Sequence, residues 1–283
     1  MEQPNYILIR QIDTGSFGIV YQVYNSKLKQ KTAVKIIRKN VSEAKQLEDN
    51  SQTKNNELNF KQSTQKFDSK LDPEITNIKK LTHLQIPNVT HYISDGICKL
   101  LNNVQYYEMD CQDGNLFSFL KHKNIISFLD YIFMLVEMLY TLMLFRKYSF
   151  KHYDIKLKNI LYRIDYKPRT YVIDISENKL DKDNNRNDIF NKNSITVTNI
   201  IHPIIADFND SIFEAYDINN ERDYTDISDM QEIFITLLES VPDTLQQTEY
   251  IQSIFDNFED DDLSDIFLGK VILYIINSYH KYL

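Results

Sequence analysis

Residues 151–162 read KHYDIKLKNILY, with Asp154, Lys156 and Asn159 set just ahead of an apolar run. A carboxylate, a cation and an amide at those offsets have one shared chemical use. The carboxylate can face an acceptor hydroxyl, the ammonium can sit beside a phosphate in transfer, and the amide oxygen can hold a metal ion. A second set lies near the start, where DTGSFGIVY carries Gly15 and Gly18, two of only five glycines in the chain. Glycine lets backbone N–H groups approach phosphate oxygens that a side chain would block. Downstream, TAVK places Lys35 two residues after Ala33 at the end of a strand-like run, suited to a charge reaching over a nucleotide. Taken singly, these motifs also read as a solvated turn and an ordinary hairpin.

The elements that must position these groups fall into two halves. YILIRQI (6–12), GIVYQVY (18–24) and KTAVKII (31–37) are β-branched and aromatic, with turn residues between them. Residues 40–70 are polar and charged and read as an insertion. A helix is predicted from Asp72 as N-cap and Pro73 as first helical residue, with Ile75, Ile78 and Leu81 on one stripe. Strands are predicted at 89–98 and 104–109. Helices are predicted at 115–122, through the apolar run to 145, and at 226–240, 244–258 and 264–282. Residues 177–194 read as a long loop. The implied class is α+β, a small strand-rich half followed by a larger helical one.

Composition narrows the function. A net charge of −8 over 283 residues argues against a nucleic-acid surface. Cys98 and Cys111 form no CxxC pair and no zinc-like cluster, so both are expected as reduced thiols in a cytosol-like compartment. The first residues, MEQPNYILIRQ, lack the layout of a secretory signal. Asp130 and Glu137 interrupt the apolar run at 125–145, which makes it a buried core helix and not a membrane span. The acidic run at 256–265 lacks the spacing of a calcium loop. The expectation is a soluble, cytoplasmic protein with no nucleic-acid or membrane partner.

In order along the chain, these motifs resemble those of the eukaryotic protein-kinase family. DTGSFGIV is similar to the glycine-rich loop, with Asp13 where the first glycine usually stands. The resemblance implies a single two-lobed domain over 1–283, with a small lobe to about residue 109 and a large lobe shortened at its end. It implies a nucleotide site of Ile12, Gly15, Ser16, Phe17, Gly18, Val20, Ala33, Lys35, Met109, Cys111 and Leu161. Lys35 would hold the α- and β-phosphates and pair with Glu74. Asp154 would orient or deprotonate the acceptor hydroxyl, and Lys156 would steady the γ-phosphate. Asn159 and Asp174, the latter in VIDIS, would bind magnesium. His152 would join Ile78 and Ile175 in a hydrophobic column, and Asp229, in SDMQEIF, would brace the catalytic-loop backbone. A one-residue shift would put Glu108 in place of Met109 at the back of the pocket.

The resemblance thus implies an ATP- and magnesium-dependent serine/threonine kinase acting on a protein. A binding-only pseudokinase and a small-molecule kinase with the same HxDxxxxN loop are the alternatives. Several positions depart from the family pattern. Tyr153 replaces the arginine that usually receives an activation-loop phosphate, so activity is expected to be independent of that contact. Ser176 replaces the glycine after the metal aspartate. AYD (215–217) stands for the APE segment, and no arginine follows Arg222 to pair with Asp217.

Overall fold

The computed structural model of the chain describes residues 6–37, 71–98, 104–174, 194–216, 221–241, 245–256 and 265–278. The 40–70 insertion, the 177–194 loop, Ile175, Ser176, Asp217 and most of the acidic run lie outside the described residues. Contacts divide the chain into two compact units. One is residues 1–85 with 90–112, and the other is 86–89 with 113–283.

The first unit is built on an antiparallel sheet of five strands in the order β1-β2-β3-β5-β4. These are β1 (Tyr6–Gly15), β2 (Gly18–Asn25), β3 (Gln30–Ile37), β4 (Tyr92–Cys98) and β5 (Val104–Asp110). Alternation sorts the side chains, because residues paired across neighbouring strands point to the same face. Tyr6, Val23, Val34, Ile36, Cys98, Val104 and Tyr106 form the apolar core on one face. Val20, Ala33, Lys35, Tyr107 and Met109 share the other through the pairs Val20–Lys35, Lys35–Tyr107 and Ala33–Met109. Helix α1 (Pro73–His83) starts as its sequence dictates: the Asp72 side chain accepts the Glu74 amide, and proline occupies the first turn.

The second unit is mainly helical. Its elements are β6 (Gly114–Asn115), α2 (Leu116–Lys121), α3 (Phe128–Lys147), β7 (Phe150–Lys151), β8 (Ile160–Asp174), β9 (Ser194–Ile205) and β10 (Ile212–Phe213). A 3-10 turn at Glu221–Tyr224 leads into α4 (Thr225–Leu237), followed by α5 (Leu245–Asp256) and α6 (Asp265–Ser278). Helix α3 is long and apolar enough to cross a membrane, but fourteen of its twenty residues are buried, against α6 and β9 among others. Ser127 caps it, its hydroxyl accepting the Asp130 amide.

One element was not foreseen. Residues 160–174 and 194–205 pair antiparallel, β8 with β9, from the pair Ile160–Ile205 to the pair Asp174–Ser194. A register shift between Ile164 and Arg169 interrupts it. At about 3.3 Å per residue, the β9 strand opposite it, from Ile205 to Ser194, places Asp174 roughly 35 Å along the hairpin from Ile160.

Candidate functional site

In the first unit, Lys35 Nζ lies 2.6 Å from Glu74 Oε1, with both residues buried. Tyr107, directly opposite Lys35 on β5, donates its hydroxyl to the same oxygen at 2.8 Å. Starting α1 at Pro73 therefore does not carry Glu74 out of reach of Lys35, because the helix begins with Glu74 already turned toward the sheet.

The hairpin of β1 and β2 closes at the pair Gly15–Gly18, leaving Ser16 and Phe17 as its exposed turn. A Cβ at Gly18 would stand 2.4 Å from the Ile36 carbonyl oxygen, whereas one at Gly15 would meet nothing within 4 Å. Gly18 is thus fixed by the close approach of β3. Ile12 sits at a register shift of β1 and is exposed. Val20, Ala33 and Met109 face the same side as Lys35, and the Cys111 sulfur accepts a hydrogen bond from Gln22 Nε2 at 3.1 Å.

Between Met109 and Glu108 the sheet decides. Glu108 points to the opposite face, 1% exposed. There its carboxylate accepts from Tyr6 Oη (2.9 Å), Asn25 Nδ2 (2.7 Å), Thr32 Oγ1 (2.6 Å) and Ser94 Oγ (2.9 Å). The buried charge is supported by four neutral donors drawn from four of the five strands. Burial, with Glu108 adding to it, pushes the Tyr6 phenol up to about 12, so Tyr6 remains a donor.

In the second unit the catalytic-loop residues converge. Lys156 Nζ bonds both Asp154 oxygens, at 2.8 and 2.6 Å, and Asn159 Nδ2 donates to Asp154 Oδ2 at 2.8 Å and to its carbonyl at 2.9 Å. With its NH2 turned to Asp154, the Asn159 amide oxygen points the other way, where a cation could use it. Leu161 follows in β8, paired with Asn115 and Ile204.

The hairpin overturns one expected metal ligand. Asp174 ends β8 at its far end from Asn159, because residues 160–174 continue as one strand past the length at which a turn was expected. The residues that return to the loop are Ile205–Phe208. The Ala206 amide donates to the Asn159 carbonyl at 2.8 Å, and the Ala206 carbonyl lies 3.1 Å from His152 Nε2. The Phe208 ring packs edge-on against His152, with centroids 5.4 Å apart. Asp207 lies between them in sequence, directly after the residue whose amide bonds the Asn159 carbonyl. Its φ of 67° is in the left-handed region, and Asn209 Nδ2 bonds its Oδ1. The sequence ADFND at 206–210 was the available signal.

The bracing aspartate is also one turn earlier than expected. Helix α4 begins at Thr225, so Asp226 lies in its first turn, and its two oxygens accept the His152 and Tyr153 amides, each at 2.7 Å. Asp229, one turn further on, makes neither bond. Burial pushes its carboxyl up to about 6, with Asp226, Glu232 and Asp154 adding to the shift. Burial also raises Asp226, against the pull of the His152 ring and the two amides.

Among the described residues no three His, Cys, Asp or Glu side chains cluster to hold a metal by themselves. One carboxylate and one amide oxygen, Asp207 and Asn159, suit a hard cation that takes its remaining ligands from phosphates and water, as magnesium does. That donor set fits the expected group.

No family model matches the chain, and no curated protein matches it. Among solved structures it is similar to the crystal structure of the PF14_0431 kinase domain. The two are 17% identical over 88% of this chain and 69% of that one, with a TM-score of 0.49.

Proposed function

We propose that this chain is an ATP- and magnesium-dependent phosphotransferase whose acceptor is a serine or threonine hydroxyl of a protein. The observation that carries the reading is the join between Asp154–Asn159 and Ala206–Phe208. In one unit it joins a carboxylate bonded to a lysine and an asparagine with the backbone that precedes Asp207, which supports the reading. Bound Mg-ATP would supply the phosphoryl group and the charge neutralisation of the metal.

The chain's own residues do the rest by positioning. Asp154 aligns the acceptor hydroxyl and takes its proton, and Lys156 stands at the developing phosphate charge. Asn159 and Asp207 would hold the metal. In the first unit, Lys35 is held by Glu74 and Tyr107 as a phosphate-binding ammonium would be. The Lys156 position follows the serine/threonine branch of the resembling family.

A small-molecule hydroxyl is the second reading, and one observation favours it. With Asp207 as the metal ligand, only residues 208–225 separate it from Asp226. Of these, 211–216 are already bonded to 149–152, through the β10–β7 pairs, Glu214 N to the Ser149 carbonyl and Ser211 Oγ to the His152 carbonyl.

The test is release or transfer of labelled γ-phosphate from Mg-ATP, with casein and the chain itself as acceptors. Asp154→Asn should lower turnover roughly 10²–10⁴-fold, and Lys35→Met should abolish it. A wild-type protein that neither releases nor transfers phosphate would refute the reading.

A further inference from the structure

Just before Asp154 the chain carries a lysine where a buried ion is costly. Lys151, 2% exposed, lies 2.8 Å from Asp223 Oδ2, which is also buried. The other Asp223 oxygen accepts the Tyr153 hydroxyl at 2.8 Å. The neighbouring Arg222 guanidinium stands 4.2 Å over the Tyr153 ring. Three residues on, Asp226 takes the His152 and Tyr153 amides. Residues 222–226 therefore grip 151–153 by backbone and side chain at once, and Tyr153 is held at φ 65°, a conformation that a tyrosine rarely adopts unaided.

Burial, then the bond to Asp223, raises the Tyr153 phenol, so its proton stays in place to be donated. Burial alone would pull Lys151 down, but Asp223 and Tyr153 more than offset it, and the lysine remains charged. The grip is a carboxylate, Asp223, set between an ammonium and a phenol.

We propose that Asp223, held by Lys151 and Tyr153, is a positioning residue that keeps the catalytic loop in its working conformation with no phosphate added to the chain. The proposal rests on the phosphotransfer reading for its consequence, since a misaimed loop would misplace Asp154. The grip itself can be measured without turnover.

The experiment compares hydrogen exchange of peptides spanning 150–156 in ligand-free full-length wild type, Tyr153→Phe, and the double variant Lys151→Met/Asp223→Leu. The double variant removes both charges together, so neither is stranded in the interior. Expected is exchange at least tenfold faster at 150–156 in the double variant, with peptides of 6–37 unchanged, and about threefold faster in Tyr153→Phe. In turnover, kcat should fall at least tenfold while KM for ATP stays within twofold. Wild type treated with phosphatase should match untreated protein in both measurements.

Wild-type exchange at 150–156 in the folded double variant overturns the proposal, and so does a fall in kcat on phosphatase treatment. If the double variant does not fold, unchanged exchange in Tyr153→Phe overturns it equally. A wild-type protein with no transfer at all defeats the phosphotransfer reading, while the exchange comparison still decides the grip.

Discussion

Replacing Asp207 and Asp174 by asparagine, one at a time, puts the corrected metal assignment at risk. Asp174 lies roughly 35 Å along the hairpin from Ile160. At that range through water, a unit charge acts on another with only about 0.1 kcal/mol, and salt screens even that beyond a Debye length of about 8–10 Å. Asp174→Asn should therefore leave turnover within about twofold of wild type. Asp207 follows the residue whose amide bonds the Asn159 carbonyl at 2.8 Å. On the proposed reading, removing its charge takes away a metal ligand, and turnover should fall about 10²–10³-fold, or about 2.7–4 kcal/mol, the scale for losing one preorganised electrostatic group. The assay is labelled-phosphate release at saturating Mg-ATP, alongside the rise in Tm that Mg-ATP gives over ATP with chelator. Asp207→Asn should lose most of the magnesium-dependent rise and Asp174→Asn none of it. The reverse pattern, or equal losses, would refute the assignment.

The other predictions concern the framework. Glu108→Ala takes the shared acceptor from the buried Tyr6, Asn25 and Thr32 donors and the half-buried Ser94, so a loss of about 3–5 kcal/mol is expected in urea titration. Gly18→Ala forces a Cβ to within 2.4 Å of the Ile36 carbonyl, which should destabilise by about 1–3 kcal/mol, whereas Gly15→Ala should leave stability within about 0.5 kcal/mol of wild type. Asp229 has its pKa raised to about 6, so the folded state binds its proton more tightly than the unfolded chain. Its ionisation therefore costs stability progressively as pH rises from about 4 to about 6 and in full above that. Asp229→Asn should accordingly raise Tm at pH 7.5 and leave it unchanged near pH 4.

Local chemistry was well expressed in the sequence. The Asp72–Pro73 start of α1, the β-branched runs of β1 to β3 and the interruptions in α3 each fixed an element through short-range preferences. The Asp154–Asn159 set was legible because its members lie within six residues and bond one another. What failed depended on tertiary partners. Whether Asp226 or Asp229 faces His152 is a matter of one helical turn, and only the entry point of α4 decides it. Met109, the expected residue, does share the Lys35 face, although one step along the strand would have flipped the face and put Glu108 there. The donors that make Glu108 tolerable come from positions 6, 25, 32 and 94.

The error at Asp174 has a geometric cause that bears on function. An antiparallel hairpin returns to its own starting point: its first and last residues face each other as a pair, about 5 Å apart whatever its length. Strands β8 and β9 form such a hairpin, and Ile160 opposite Ile205 is its closing pair. Lengthening it moves Asp207 by tens of residues in sequence, yet leaves the Asn159 carbonyl bonded to the Ala206 amide. Counting residues from Asp154 must then mislead, while the hydrogen bonds made by Ala206 and the ring packing of Phe208 do not. The same correction shortens the segment after the metal ligand to the residues before Asp226. On the proposed reading, recognition of the acceptor beside Asp154 would then fall to residues 208–225.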